Sequence, residues 1–284
     1  MRTTLLTTTL VAMILAGCAQ PAAVLPAMAG PQAASAVSAP LKTGIPFFRV
    51  FRGVKRADVS ATAFLQDLGK RFIPSAPLTH AKNGLVAYLP AVPAAKKASF
   101  LPDEYAVIAY ESADVYAKAK ATPEGQAYSD LHWELFDKAA SKSATAVTLE
   151  AGAQVQADVA YDLVQRPTDW QKGHTTFFVG VRKAGVAAGA FLPGMTSHVA
   201  LAKREFTPMG LDGYIIVATP EYEVAYMHWT DARSADAAMA SATGKRVGED
   251  AQRLMSMEQW TPTVPFAGTV KPGQAFNFRF ERRS

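Results

Sequence analysis

Apolar positions alternate at the start of the folded part of the chain. Phe47, Phe48, Val50 and Phe51 lie within Pro46–Val54, and the alternation predicts a strand. Its two faces are both partly apolar, with Phe47 and Phe51 on one and Phe48, Val50 and Val54 on the other. The period then changes. Ala61, Phe64, Leu65, Leu68 and Phe72 fall on one helical face, after a possible cap at Asp58 or Ser60 and before a stop at Pro74. Gly84–Leu89 and Tyr105–Glu111 predict two further strands, separated by a Pro- and Lys-bearing loop over Pro90–Pro102. Ser112-Ala113-Asp114 leads into an Ala-rich helical passage, and Thr122-Pro123-Glu124 opens a second helix with Ala127, Leu131, Leu135 and Ala139 as its stripe. Gln154–Val164 alternates enough for a fourth strand, which makes the order βαββαβ.

The same order returns after a polar connection over Arg166–Gly173. Thr175–Lys183 is a strand with Phe177-Phe178 in the place of Phe47-Phe48. Ala190-Phe191-Leu192, Met195 and Val199 repeat the helix stripe, and Pro193-Gly194 predicts a kink or a late start. Gly210-Leu211 and Tyr214 match Gly84-Leu85 and Tyr88. An apolar strand from Tyr222 to Trp229 precedes Ser234-Ala235-Asp236 and another Ala-rich helical passage, as Tyr105 precedes Ser112. Thr269, Val270 and Gly273 match Thr148, Leu149 and Gly152, and Phe276–Glu281 is the predicted last strand. Five blocks in one order imply a duplicated, domain-sized unit over about residues 45–166 and 172–284.

A βαββαβ unit is the ferredoxin-like motif, with helices on one sheet face only. The apolar second face calls for cover. On element order and duplication, residues 46–282 resemble a fused dimeric α+β barrel, so the expected class is α+β, with two tandem ferredoxin-like units packed as a pseudo-dimer. Two independent ferredoxin-like domains on a string are the alternative.

The first residues are of a different kind. Arg2, an apolar run from Leu5 to Leu15 and Leu15-Ala16-Gly17-Cys18 resemble a bacterial lipoprotein signal peptide over 1–17 with its lipobox. The resemblance implies acylation at Cys18, and Ala19 after it implies transfer to the outer membrane. A second acyl chain would make that anchoring stable. Residues 18–44 are Ala- and Pro-rich and read as a tether, which as a coil would reach roughly 25–30 Å.

Composition adds limits. The 284 residues are 49% hydrophobic and 19% charged, with a formal charge of +5, a normal globular balance. No basic run interleaves with aromatics, so nucleic acid is not an expected partner. Cys18 is the single cysteine, so internal disulfides are excluded. His80, His132, His174, His198 and His228 are scattered and form no metal spacing, and neither a phosphate loop nor a GxSxG elbow occurs.

Candidate chemistry follows from duplication. Matching Phe48 to Phe178 makes Arg52 and Arg182 equivalent, and places both on the sheet face away from the helices. There they could hold an anionic, otherwise apolar ligand between the two sheets, or pair with an acid, or end in water. Tyr88 and Tyr214 form a second pair. His132-Trp133 and His228-Trp229 set a histidine beside an aromatic in each half. Dimeric α+β barrels include haem-degrading and cofactor-free monooxygenases and chlorite dismutase-type peroxidases, so the resemblance implies a haem-ligand role for one such histidine. The leading expectation is a non-enzymatic, lipid-anchored envelope protein that binds a small molecule or an envelope partner, without a cofactor. The alternative is a cofactor-free or haem-dependent monooxygenase or peroxidase. Cys18 acylation is directly testable: a fatty-acid probe should label the wild type and leave Cys18→Ala unlabelled, and equal labelling of both would remove the anchor.

Overall fold

The computed structural model describes residues 44–281. The signal peptide, Cys18 and all but the last residue of the tether lie outside them. The first half runs β1 (Phe47–Gly53), α1 (Ala61–Asp67), α2 (Ile73–His80), β2 (Leu85–Ala91), β3 (Glu104–Tyr110), α3 (Ala113–Ala121), α4 (Pro123–Leu135) and β4 (Lys142–Thr148). A short β5 (Ala160–Asp162) follows. The second half runs β6 (His174–Arg182), α5 (Ala188–Phe206), β7 (Leu211–Ala218), β8 (Tyr222–Trp229), α6 (Ala232–Ala240), α7 (Ala242–Leu254) and β9 (Met255–Pro265), and then comes β10 (Ala275–Asn277).

The strands form one closed ten-stranded barrel in an α+β fold. Within it the first half contributes the order β4-β1-β3-β2 and the second contributes β9-β6-β8-β7. The two short strands join the halves. β5 lies parallel to β4 and antiparallel to β7, and β10 lies parallel to β9 and antiparallel to β2. The barrel therefore leaves no open edge to pair with another chain.

Three sequence expectations are corrected. The fourth strand of the first half is β4, not Gln154–Val164, of which only β5 is extended. In the second half the corresponding strand is β9, and Phe276–Glu281 contributes only to the three-residue β10. β4 reads Lys-Ser-Ala-Thr-Ala-Val-Thr and is only partly buried, so its small and polar residues hide the strand period. Pro74 does not end the first helix. A π-helical turn over Leu68–Phe72 leads into α2, where Pro74 sits in the first turn and its missing N–H is of no consequence. Nor does Pro193 delay α5, which begins at Ala188 and runs through it.

The space inside the barrel is filled. Phe48, Val50, Leu89, Tyr105 and Val107 meet Phe177, Val179, Val217, Val224 and Tyr226 in one core drawn from both halves. Phe177 packs 5.4 Å from the Tyr105 ring and 5.0 Å from the Tyr226 ring. Trp170 closes one end, 5.5 Å from Phe48, and lies directly on the backbone of Gly213, where a Cβ would come within 2.4 Å of the indole. Two further cores lie outside the barrel, one under α1, α2 and α4 and the other under α5, α6 and α7.

Because one core is shared, the halves are expected to fold together. Exposing its apolar surface costs about 25 cal/mol per Å². Residues 45–166 and 172–284 expressed apart should each fail to give a cooperative melt, whereas the whole chain gives one transition. Two soluble, cooperatively melting halves would contradict the shared core.

Candidate functional site

Strand residues alternate between barrel interior and helix layer, so every candidate is placed by parity. In β1, Phe48, Val50 and Arg52 point inward, whereas in β6 the inward set is Phe177, Val179 and Val181. Arg52 stands opposite Tyr105, to which Val224 corresponds in the second half, and the residue opposite Val224 is Val179. Matching Phe48 to Phe178 was thus an odd number of residues out of register, and an odd slip moves a side chain to the other face. Arg182 does not face Arg52. It is half-buried and holds two turns, donating from Nε to the Pro220 carbonyl at 2.7 Å and from Nη1 to the Val186 carbonyl.

Arg52 is buried at one barrel end and pairs with Asp158 at 2.7 Å, with the Tyr222 hydroxyl at 3.4 Å. The anion that a buried guanidinium needs is supplied by the chain itself. Arg52 and Arg182 therefore do not form a shared anion site between the sheets. His228 closes the opposite end. Its Nδ1 meets Asp212, and its Nε2 meets the Lys172 carbonyl at 2.8 Å. Both ring nitrogens are committed, which leaves none for a metal.

Two apolar cavities lie under the helices, one in each half. Tyr88 and His132 fall together in the first, and Tyr214 falls in the second. Both β2 and β7 carry a bulge just inside the strand, between Leu85 and Ala87 and between Leu211 and Gly213, so Tyr88 opposite Ile108 corresponds to Tyr214 opposite Met227. Tyr88 and Tyr214 thus occupy equivalent positions in the two halves, as the sequence match has them.

The first cavity holds about 190 Å³ between β1–β3 and α2–α4. Glu104 lies at its base, fully buried, with neither carboxylate oxygen bonded. Burial raises its pKa well above the usual carboxyl value, which favours the protonated form. The Tyr88 and Tyr128 hydroxyls approach each other without closing a well-formed hydrogen bond. Burial lowers His80 and His132 to about 4, which keeps both rings neutral.

The second cavity holds about 310 Å³ between the sheet and α5–α7. Its walls are Phe178, Phe206, Val247 and four methionines, Met227, Met239, Met255 and Met257. Met257 is 57% exposed and Trp260 39%, so both stand at the way in. Glu223 lies at the base, 1% exposed, with Oε1 unbonded. Burial raises its pKa to about 8. His198 is also buried in this wall and is held by Asp250 at 3.0 Å. Its pKa is lowered by burial, against the opposing pull of Asp250.

Neither glutamate was a sequence candidate. Glu223 had a signal, being a lone acid inside the apolar run Tyr222–Trp229. Glu104 had less, since an acid at a strand entry is ordinarily solvated.

Haem does not fit these residues. His132 has a free Nε2, but Phe51, Phe72, Trp133 and Phe136 surround its ring at 4.4–5.1 Å. The cavity beside it, at about 190 Å³, has room for a single ring and none for a porphyrin. Among the described residues no cluster of His, Cys, Asp or Glu is placed to hold a metal ion.

No family model matches the chain, and no curated protein matches it. Solved structures resemble it distantly. A candidate monooxygenase from Lactobacillus acidophilus NCFM gives a TM-score of 0.38 at 10% identity, covering 83% of this chain and 100% of that one. One from Fusobacterium nucleatum gives 0.40 at 9%, covering 82% and 97%. A heme-binding protein from Thermus thermophilus gives 0.33 at 10%, covering 79% and 92%. At such scores the likeness carries no argument about chemistry, which must come from the two cavities.

Glu223 has a thermodynamic consequence. A carboxyl whose folded pKa is raised from 4.5 to about 8 binds its proton more tightly when folded, so stability falls as pH rises between those values. Glu223→Gln removes that dependence. Its unfolding free energy should exceed the wild type's by a few kcal/mol at pH 9 and converge on it near pH 4, from about 1.4 kcal/mol per pKa unit. Parallel stability–pH curves for the two proteins would show that Glu223 keeps an ordinary pKa.

Proposed function

We propose that this chain is an acid–base enzyme acting on a small, apolar, ring-bearing molecule in the second-half cavity, with Glu223 as the proton acceptor. The observation that carries the reading is one unpartnered carboxyl, with a pKa of about 8, at the base of an apolar cavity that opens to solvent. A base poised near the working pH is what proton transfer from a weak carbon or phenol acid requires. The apolar walls supply orientation through contact with Phe178, Trp260 and the methionines, which adapt to irregular shapes. His198, fixed by Asp250, is a neutral hydrogen-bonding group on the same wall.

Cofactor-free oxygenation is the form of this chemistry favoured here over a passive carrier. Glu223 takes a proton from an activated CH₂, and the carbanion adds to O₂ to give a peroxide. Loss of water then leaves C=O. One CH₂ and one O₂ become one C=O and one H₂O, so no external reductant is needed. The architecture that serves it is read as a fused pair of ferredoxin-like units, each with its own helix-covered sheet face. Lipid anchoring at Cys18, and placement at the outer membrane, are part of the same proposal and rest on the lipobox alone.

The base is tested with 2-tetralone, an enolisable two-ring ketone, in D₂O. The wild type should exchange its α-protons at a rate that rises with pH through about 8, and Glu223→Gln should lose at least about 100-fold. Oxygen uptake with the same ketone reports whether exchange proceeds to oxygenation. Equal exchange by both proteins would remove Glu223 as the base. Saturable binding with no exchange at all would favour the carrier.

A further inference from the structure

The first-half cavity has a polarity that the second lacks. Its base carries hydrogen-bonding groups without partners: both oxygens of Glu104, the Tyr88 hydroxyl, Nδ1 of His80 and Nε2 of His132. Unmet buried groups of this kind are costly, so a bound molecule that meets them gains what the empty cavity forgoes. The mouth is cationic. Arg49 stands 5.0 Å from the Tyr116 ring centroid and donates to the Ser143 hydroxyl at 2.6 Å, and Lys120 stands 5.6 Å from the same ring. Among the described residues neither cation has a carboxylate partner within 4.0 Å, although Arg71 and Lys82 nearby in the same half each have one.

Mouth and base lie at opposite ends of β3. Arg49 is opposite Ile108, four residues from Glu104, which is about 13 Å along a strand. Side chains reaching in from both ends leave room between them for a single ring. The volume agrees: an apolar cavity of about 150 Å³ takes one benzene, and this one has about 190 Å³. Its walls are themselves rings, with Phe72 stacked on Tyr128 at 5.2 Å.

We propose that this cavity is a second, separate binding site, and that it takes an aromatic carboxylate with a hydroxyl at the far end of its ring. The carboxylate meets Arg49 and Lys120 at the mouth, and the ring lies among Tyr116, Phe72 and Tyr128. The hydroxyl meets Tyr88 and the protonated Glu104 at the base, where donor and acceptor are both available. No step of the proposed Glu223 chemistry enters this assignment.

The test is calorimetric titration of the full chain with 4-hydroxybenzoate, benzoate and phenol. 4-Hydroxybenzoate should bind tightest. Arg49→Gln combined with Lys120→Gln should weaken 4-hydroxybenzoate at least about tenfold and leave phenol unchanged. Tyr88→Phe should weaken 4-hydroxybenzoate and phenol but not benzoate, and Glu223→Gln should change none of the three. The mouth substitutions are at the surface and Tyr88→Phe removes one unbonded oxygen, so all three should keep the wild-type melting curve. Nuclear Overhauser contacts from the ligand ring to Tyr116 and Tyr128 in the unaltered chain give a readout that depends on no variant. No saturable binding, binding without those contacts, or equal loss for all three ligands in each variant would overturn the assignment.

Discussion

Two three-residue strands hold this architecture together. β5 lies between β4 and β7, and β10 between β9 and β2, so each joins the free edge of one half to the free edge of the other. Backbone bonds extend the joints, from Asp158 and Leu163 to β7 on one side and from Val92 to Gln274 on the other. Asp158 and Gln165, which flank β5, both have positive φ, and Asp158 turns its carboxylate onto Arg52. Closure makes the inner sheet faces a single core. With that core filled by aromatic and branched side chains, the apolar cavities with buried acids at their bases lie under the helices.

Much of this was legible in the sequence, and what was not has one cause. Strands buried on both faces carry apolar residues at successive positions, as in Phe47-Phe48 and Phe177-Phe178. The alternation that would fix the register is then weak, and two alignments an odd number of residues apart look equally good. That single ambiguity placed Arg182 inside the barrel instead of on its loops. The bulged strands β2 and β7 are free of the ambiguity, and Tyr88 and Tyr214 correspond. β4 and β9 escaped for the opposite reason: small, polar and Pro residues in partly exposed strands weaken the apolar signal. The order of elements and the α+β class depend on neither subtlety, and both were readable.

The buried glutamates set the two cavities apart. An unpaired carboxyl in an apolar layer is kept by protonation, and each protonated group is a potential donor. In the second half this gives an acid that titrates near neutral pH behind a methionine- and Trp260-lined entry. In the first half Glu104 sits among tyrosines and neutral histidines below a cationic rim. One fold, duplicated, has thus acquired two chemically different spaces in equivalent layers.

The central claim is that accessible space lies in the helix layers and not in the barrel. Xenon enters apolar cavities and ignores filled ones, so a xenon-pressurised crystal maps that space directly. Xenon bound beside Met227 and Val247, with none among Tyr105, Phe177 and Tyr226, is the result expected. Xenon inside the barrel would contradict the account.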